Sequence, residues 1–433
     1  MNTCRRGFVK GAIGASGIVA AGAFCGAFAK GVEDTEAGKR WRGWNPGEFQ
    51  VHFICTGVAE SMFVIFPDST SMLLDCGDHA AITRLDLAVP IMPDPSRLAG
   101  DWIARYVQRV NPNGNKVDYM MASHFHQDHT GSAVWQSRRV IPRKDVTGCY
   151  RSGFGLALES LHFRKAIDRG WPDYNDPAPY VEDEHRLLEH MRRIYSYLSK
   201  RDGLTVEKFR LGADDQIVPL HDPRSVKGFS VRNIAANGKI ALPDGTIEDT
   251  LCRNGKKADR YSENLLSLAN VFTYGKFRFY TAGDFSGAAS FANGDVWRPE
   301  KEIGRAAGKV DVAKINHHGH RCMEPETVRD LAARVYVACV WDQLHVTDDT
   351  MSRICDRSLY PEERIVCPTI MSKERRKEHC DRFWMKDVPE AVYEGAHIVL
   401  TVPPGGENYK LTFINAGDES MTVRSVMRFE SHG

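Results

Sequence analysis

One run constrains this chain more than any other. His124-Phe125-His126-Gln127-Asp128-His129 sets three histidines and an aspartate within six residues, directly after an apolar stretch at residues 117–122. In extended chain, residues two apart face the same way, so His124 and His126 can approach one metal ion. Asp128 and His129 lie past the bend and can serve a neighbouring ion. Imidazole with carboxylate is the ligand set of zinc, and also of iron or manganese. The plain alternative is a histidine-rich surface loop. A strand that delivers four ligand-type groups at its C-terminal end fits a metal centre far better.

The surroundings read as mixed α/β. Residues 49–54 alternate, 62–66 are apolar, and 71–75 run into Cys76-Gly77-Asp78, with Pro67-Asp68-Ser69-Thr70 as the turn between the last two strands. The pattern over 98–110 predicts an amphipathic helix, ended by Asn111-Pro112-Asn113-Gly114. Strands are expected again at 229–234, 265–271, 277–281, 310–315 and 335–340. Between these two groups, residues 142–215 are richer in Arg and Glu and carry a polar amphipathic helix over 181–200; we read this segment as a helical insertion. Residues 397–402 and 409–414 flank Pro403-Pro404-Gly405-Gly406 and read as a C-terminal β-hairpin within about 395–430. The whole of 30–433 is expected to be a single catalytic domain.

Residues 1–29 read as an export signal. Arg5-Arg6, with Phe8 and Lys10 behind, precede an uncharged, Gly- and Ala-rich stretch that closes on Ala27-Phe28-Ala29, a small-x-small cleavage site. The segment resembles a twin-arginine signal and implies a periplasmic or extracellular protein. A retained N-terminal anchor is the alternative, but the stretch is short of the ~20 strongly apolar residues a membrane span needs, so no span is expected in the mature chain. Charge excludes little: 57 basic residues face 56 acidic ones, so non-specific nucleic-acid binding, which rests on a basic surface, gains no support. Eleven cysteines are scattered without a Cys-x-x-Cys pair, and unpaired thiols are the expectation.

The histidine run fits the His-x-His-x-Asp-His signature of the metallo-β-lactamase superfamily, and flanking pieces agree in order. Leu73-Leu74-Asp75-Cys76-Gly77 resembles the family's upstream Asp-x-Gly motif, Phe279-Tyr280-Thr281-Ala282-Gly283-Asp284 the strand ending in a bridging aspartate, and Ala313-Lys314-Ile315-Asn316-His317-His318-Gly319 the last histidine motif. The His-His-Gly form and the stretch 264–284 look most like the hydrolase domains of DNA-uptake channel proteins and secreted phosphorylcholine esterases. The resemblance spans roughly 49–346 without the insertion. It implies an α/β fold, a four-layer αββα sandwich with metals at one edge.

The resemblance further implies that His124 and His126 hold a first ion, and that Asp128 and His129 hold a second with His317 or His318. Asp284 would bridge them. The expected cofactor is Zn²⁺, one or two, with Mn or Fe as alternatives. Many relatives supply one more histidine to the first ion from mid-chain. Here Asn237-Gly238 stands at that place, and His162, His185, His190 and His221 do not fit it. Asp75 reads as a supporting residue. The implied chemistry is hydrolysis by metal-activated water, oriented by Asp128 or Asp284, on a small molecule or phosphoester, a phosphodiester first. His345, after the strand at 335–340, is expected either to contact substrate as a catalytic residue or simply to pack. Trp171, Tyr174 and Tyr180 either line a pocket or pack the insertion. The rival functions are a lactonase or β-lactamase, and a catalytically silent metal-binding module of the cell envelope.

Overall fold

The computed structural model describes residues 36–79, 89–133 and 140–432; the export-signal segment lies outside them. The first half of the chain supplies β1 (Phe49–Phe53), β2 (Met62–Ile65), β3 (Ser71–Leu74), α1 (Ala99–Val110), β4 (Lys116–Met121), the one-turn helices α2 (Gln127–Thr130) and α3 (Phe154–Ala157), β5 (His162–Asp168), α4 (Glu182–Asp202) and β6 (Thr205–Lys208). There follow β7 (Phe229–Ala236), β8 (Lys239–Ala241), β9 (Ile247–Asp249), the small pair β10 (Cys252–Arg253) and β11 (Lys256–Lys257), β12 (Ala269–Tyr274), β13 (Phe277–Thr281), and a second small pair, β14 (Ala289–Ser290) and β15 (Val296–Trp297). The last part gives α5 (Glu300–Ala307), β16 (Val312–Lys314), α6 (Pro325–Leu331), β17 (Val335–Ala338), α7 (Asp348–Ile354), β18 (Ile365–Pro368), α8 (Lys373–Glu378), β19 (Ala396–Val402), β20 (Asn408–Asn415) and β21 (Val423–Glu430).

These strands build an α/β sandwich of two large sheets. One runs β21-β20-β19-β1-β2-β3-β4-β5-β6 and the other β18-β17-β16-β13-β12-β7-β8-β9. Aromatic side chains interleave between them: Phe49 stacks on Phe272 at 5.8 Å, Phe66 meets Phe229 at 4.8 Å, and Phe53 sits edge-on to Phe279 at 5.8 Å. Each of these rings but the half-buried Phe229 is fully buried and stabilises by about 1.5–3 kcal/mol. Helices cover the outer faces. In α4 the residues Leu187, Met191, Ile194 and Leu198 recur at helical spacing and pack with Phe163 and Met120 on the first sheet. α5 and α6 set Ile303, Ala306, Val328 and Leu331 against the second.

The reading of 142–215 as a helical insertion is corrected. β5 and β6 lie within it and extend the first sheet, both in parallel, and α4 is the crossover that joins them. Parallel neighbours need such a crossover, which explains the long amphipathic helix. The C-terminal hairpin forms as β19 and β20, with β21 added as a third antiparallel strand. All nine described cysteines are unpaired, and seven are buried. Among the described residues, no helix is long and apolar enough to cross a membrane.

Strand polarity fixes where chemistry collects. β3 and β4 are parallel, as are β13 and β16. Their C-terminal ends fall at one edge of the sandwich, where the chain leaves regular hydrogen bonding and side chains can converge.

Candidate metal centre

Four strand ends deliver the site. Asp75 follows β3, the histidine run follows β4, Asp284 follows β13, and His317-His318 follows β16. The loop after β4 is clamped against the loop after β3: a Cβ on Gly77 would lie 1.7 Å from Asp128 O, so only glycine fits. His317 and His318 both adopt left-handed backbone, φ 47° and 52°, which turns two adjacent rings to different sides.

Only one of those rings joins the cluster. His318 Nε2 lies 3.3 Å from His129 Nε2, 3.0 Å from Asp128 Oδ2 and 3.2 Å from Asp284 Oδ2. His129 Nε2 lies 3.2 Å from Asp284 Oδ2 and 3.8 Å from Asp128 Oδ2. A tetrahedral zinc with bonds of ~2.0–2.1 Å has ligand–ligand edges of about 3.3–3.4 Å, so these four atoms bound a site of the right size. His317 is corrected as a ligand. It stands on the cavity wall, with Nδ1 3.0 Å from Ser286 Oγ and Nε2 3.3 Å from Asn264 Nδ2.

The remaining nitrogens of the two ligand rings are already used. His129 Nδ1 donates to Asp75 Oδ2 at 2.8 Å, and His318 Nδ1 donates to Cys339 O at 2.9 Å. Asp75 is held in turn by Ser123 N and Oγ, both at 2.7 Å. This is the carboxylate–histidine arrangement that fixes a ring and leaves Nε2 facing an ion. Asp75 thus touches the His129 ring on the side away from His318.

Electrostatics favour a cation. Burial opposes ionisation of Asp128 and Asp284, yet His129 and His318 hold both carboxyls well below the usual range. Burial likewise disfavours a proton on His129 and His318, but Asp284 and Asp128 raise both well above an ordinary histidine. Carboxylates that draw protons onto imidazoles this strongly also draw a metal ion.

Glu60, His129, Asp284 and His318 form a buried group able to hold a metal ion, their ligating atoms within 4.8 Å of one another. Sequence reasoning missed Glu60, which precedes β2. Its position argues for support over ligation: Oε1 is 2.8 Å from Lys314 Nζ, and Oε2 is 3.1 Å from His318 Nδ1, the edge of the ring turned away from the cluster. Lys314, a charge inside an apolar strand, was the available signal.

His124 and His126 make a second, thinner group. His124 Nε2 lies 3.1 Å from His126 Nδ1 and 4.0 Å from Asp284 Oδ2. Burial, then His129 and His126, push the His124 pKa well down, leaving a neutral ring. The His129 ring lies 4.2 Å from that of His124, and Glu184 Oε1 lies 3.8 Å from His126 Nε2, but among the described residues no mid-chain imidazole joins them. Asn237 is spent on Arg169, accepting from Nη1 at 3.2 Å and donating to O at 2.6 Å; Arg169 pairs with Glu263, which accepts from Phe125 N at 3.1 Å. His162 and His221 face Asp202 and Asp118, His185 is exposed on α4, and His190 accepts from Tyr150 N.

A cavity of about 410 Å³ opens over the cluster, with Asp128, Asp284, His126 and His317 on one side and Val181, Glu184 and Leu187 of the α4 end on the other. His345 does not line it: its ring lies parallel to that of His318 at 5.3 Å and edge-on to Trp341 at 4.8 Å. Trp171 packs on Tyr195, Tyr174 on Phe125 and Tyr180 on Tyr261, so these aromatics serve packing. No family model matches the chain, and no curated protein matches it.

Proposed function

We propose that the protein is a metal-dependent hydrolase of the metallo-β-lactamase superfamily, exported by the twin-arginine route, with zinc at Asp128, His129, Asp284 and His318. The observation that carries this reading is the buried meeting of His129 Nε2 and His318 Nε2 with carboxylate oxygens of Asp128 and Asp284 at the floor of an open cavity. Two sheets flanked by helices, with the motif residues at one edge in the expected chain order, support the αββα assignment. A divalent cation bound there supplies Lewis acidity: it makes water acidic near neutral pH and offsets developing negative charge. Two imidazole nitrogens with two carboxylate oxygens favour zinc over manganese, whose sites are richer in oxygen.

The chain's own groups do the rest. Asp128 keeps its charge, and its carboxylate oxygen not turned to His318 can orient an attacking water by accepting a hydrogen. Asn264 and His317 set hydrogen-bonding groups along the wall beside the cluster. A phosphoryl group in transfer spreads charge over its equatorial oxygens, so several such groups act on it at once. This makes a phosphoester, and first a phosphodiester, the substrate class. The test is a screen of zinc-reconstituted protein on phosphodiester, phosphomonoester, lactone and β-lactam substrates. Turnover of a phosphodiester, lost on chelation, is expected; turnover of only the lactone or β-lactam would overturn the phosphoester assignment.

A further inference from the structure

The ion pair of Lys314 with Glu60 is buried at the back of the metal centre, both side chains with zero exposure. Its contacts reach two ligands on two different strand ends. Lys314 Nζ donates to Gly283 O at 2.6 Å and lies 3.6 Å from Asp284 Oδ1, while Glu60 Oε2 faces His318 Nδ1 at 3.1 Å. Asp284 therefore turns one oxygen to an ammonium and the other, Oδ2, to the two imidazoles. A carboxylate that bridges two cations through both oxygens would need Oδ1 free.

We infer that the Glu60–Lys314 pair is a positioning device that presents Asp284 by one oxygen and His318 by Nε2 to a single four-coordinate cation, with the lysine ammonium in place of a second cation's charge. The inference rests on the metal-centre reading above and adds the number of ions and the residues that set it. Three observations converge. The His124–His126 pair reaches Asp284 only through the Oδ2 already shared, at 4.0 Å. Asn237 is committed on both sides to Arg169 and adds no ligand. The Lys314 ammonium, 2.8 Å from Glu60 Oε1 and 3.6 Å from Asp284 Oδ1, already supplies the positive charge beside the Asp284 oxygen that a bridging carboxylate would turn to a second ion.

The measurement is zinc binding to metal-free full-length mature protein, titrated against a chelator of known affinity, with native mass spectrometry for stoichiometry. One tight equivalent is expected, with any second at least ~100-fold weaker. Two equivalents of similar affinity would overturn the single-ion inference and leave a metal enzyme standing; no tight zinc at all would overturn both. The charge-neutral double variant Glu60→Gln/Lys314→Met should still bind zinc, about 10- to 100-fold more weakly, as loss of groups that orient metal ligands does. Complete loss of binding in a folded Glu60→Gln protein would show Glu60 to be a ligand instead. Cobalt gives a second readout that a merely structural role would not move. The wild type should show the intense visible absorption of four-coordinate cobalt(II), and the double variant a weaker band at matched occupancy. Equal bands with equal zinc affinity would refute a positioning role even if the variant melts earlier.

Discussion

The Nε2 atoms of His129 and His318 face each other at 3.3 Å, and in both rings Nδ1 already donates, to Asp75 and to the carbonyl of Cys339. Two neutral rings so arranged point lone pairs at one another. The contact is favourable when a proton or a cation sits between them, and Asp128 and Asp284 complete the setting for a cation.

If Asp75 fixes the His129 ring, Asp75→Asn should leave the fold intact and weaken zinc binding by about 10- to 100-fold, with one ion still bound at saturation. Chelator competition on the purified variant measures this. Unchanged affinity would remove Asp75 from the account.

His317 and His345 separate wall from packing. His317 stands on the cavity, and burial lowers its pKa to about 4, so it is neutral at pH 7. His317→Ala should reduce kcat/KM on a phosphodiester by about 100-fold, the scale of one lost hydrogen-bonding group beside developing charge, with zinc content unchanged. His345→Ala should instead lower stability by roughly 2–4 kcal/mol through the cavity it leaves, with little change in kcat/KM per folded molecule. Thermal melts and kinetics on the two variants, side by side, give the answer; the opposite pattern would return His345 to the catalytic role.

The histidine run, Asp75 and Asp284 were legible because each closes an apolar strand, and strand ends are where polar groups are delivered. The choice between His317 and His318 was not, since it depends on left-handed backbone at both residues. Glu60 was missed for a different reason: Lys314 stands out as a charge in a buried strand, but its partner lies far away in sequence and no local pattern names it. β5 escaped because it opens on His162-Phe163-Arg164-Lys165, whose adjacent basic residues near a sheet edge break the apolar run of a buried strand. β6 is four residues long and lies at the edge itself, so it carries no apolar run.

Glu300 gives a pH prediction. Its carboxyl is buried, accepts from Asn316 Nδ2 at 2.9 Å and Met323 N at 2.7 Å, and burial raises its pKa from 4.5 to about 7. An acid whose folded pKa is raised binds more protons folded than unfolded, so its effect is to lower stability as pH rises from 4.5 to about 7. Glu300→Gln should remove that fall and stabilise the protein above pH 7, by up to roughly 3 kcal/mol. Urea unfolding at pH 5 and pH 8 tests it; equal pH dependence in variant and wild type would contradict it.

The proposed export rests on Arg5-Arg6. Replacing both with lysine should leave unprocessed protein in the cytoplasm, seen by fractionation and blotting. Normal secretion of the double variant would dismiss the twin-arginine reading.

Crystals grown with zinc, with anomalous diffraction collected on both sides of the zinc edge, decide whether this cluster holds the ion. One strong peak is expected within about 2.0–2.2 Å of His129 Nε2, His318 Nε2, Asp128 Oδ2 and Asp284 Oδ2. A zinc-soaked crystal with no peak at that point, or with its only strong peak elsewhere, would contradict it.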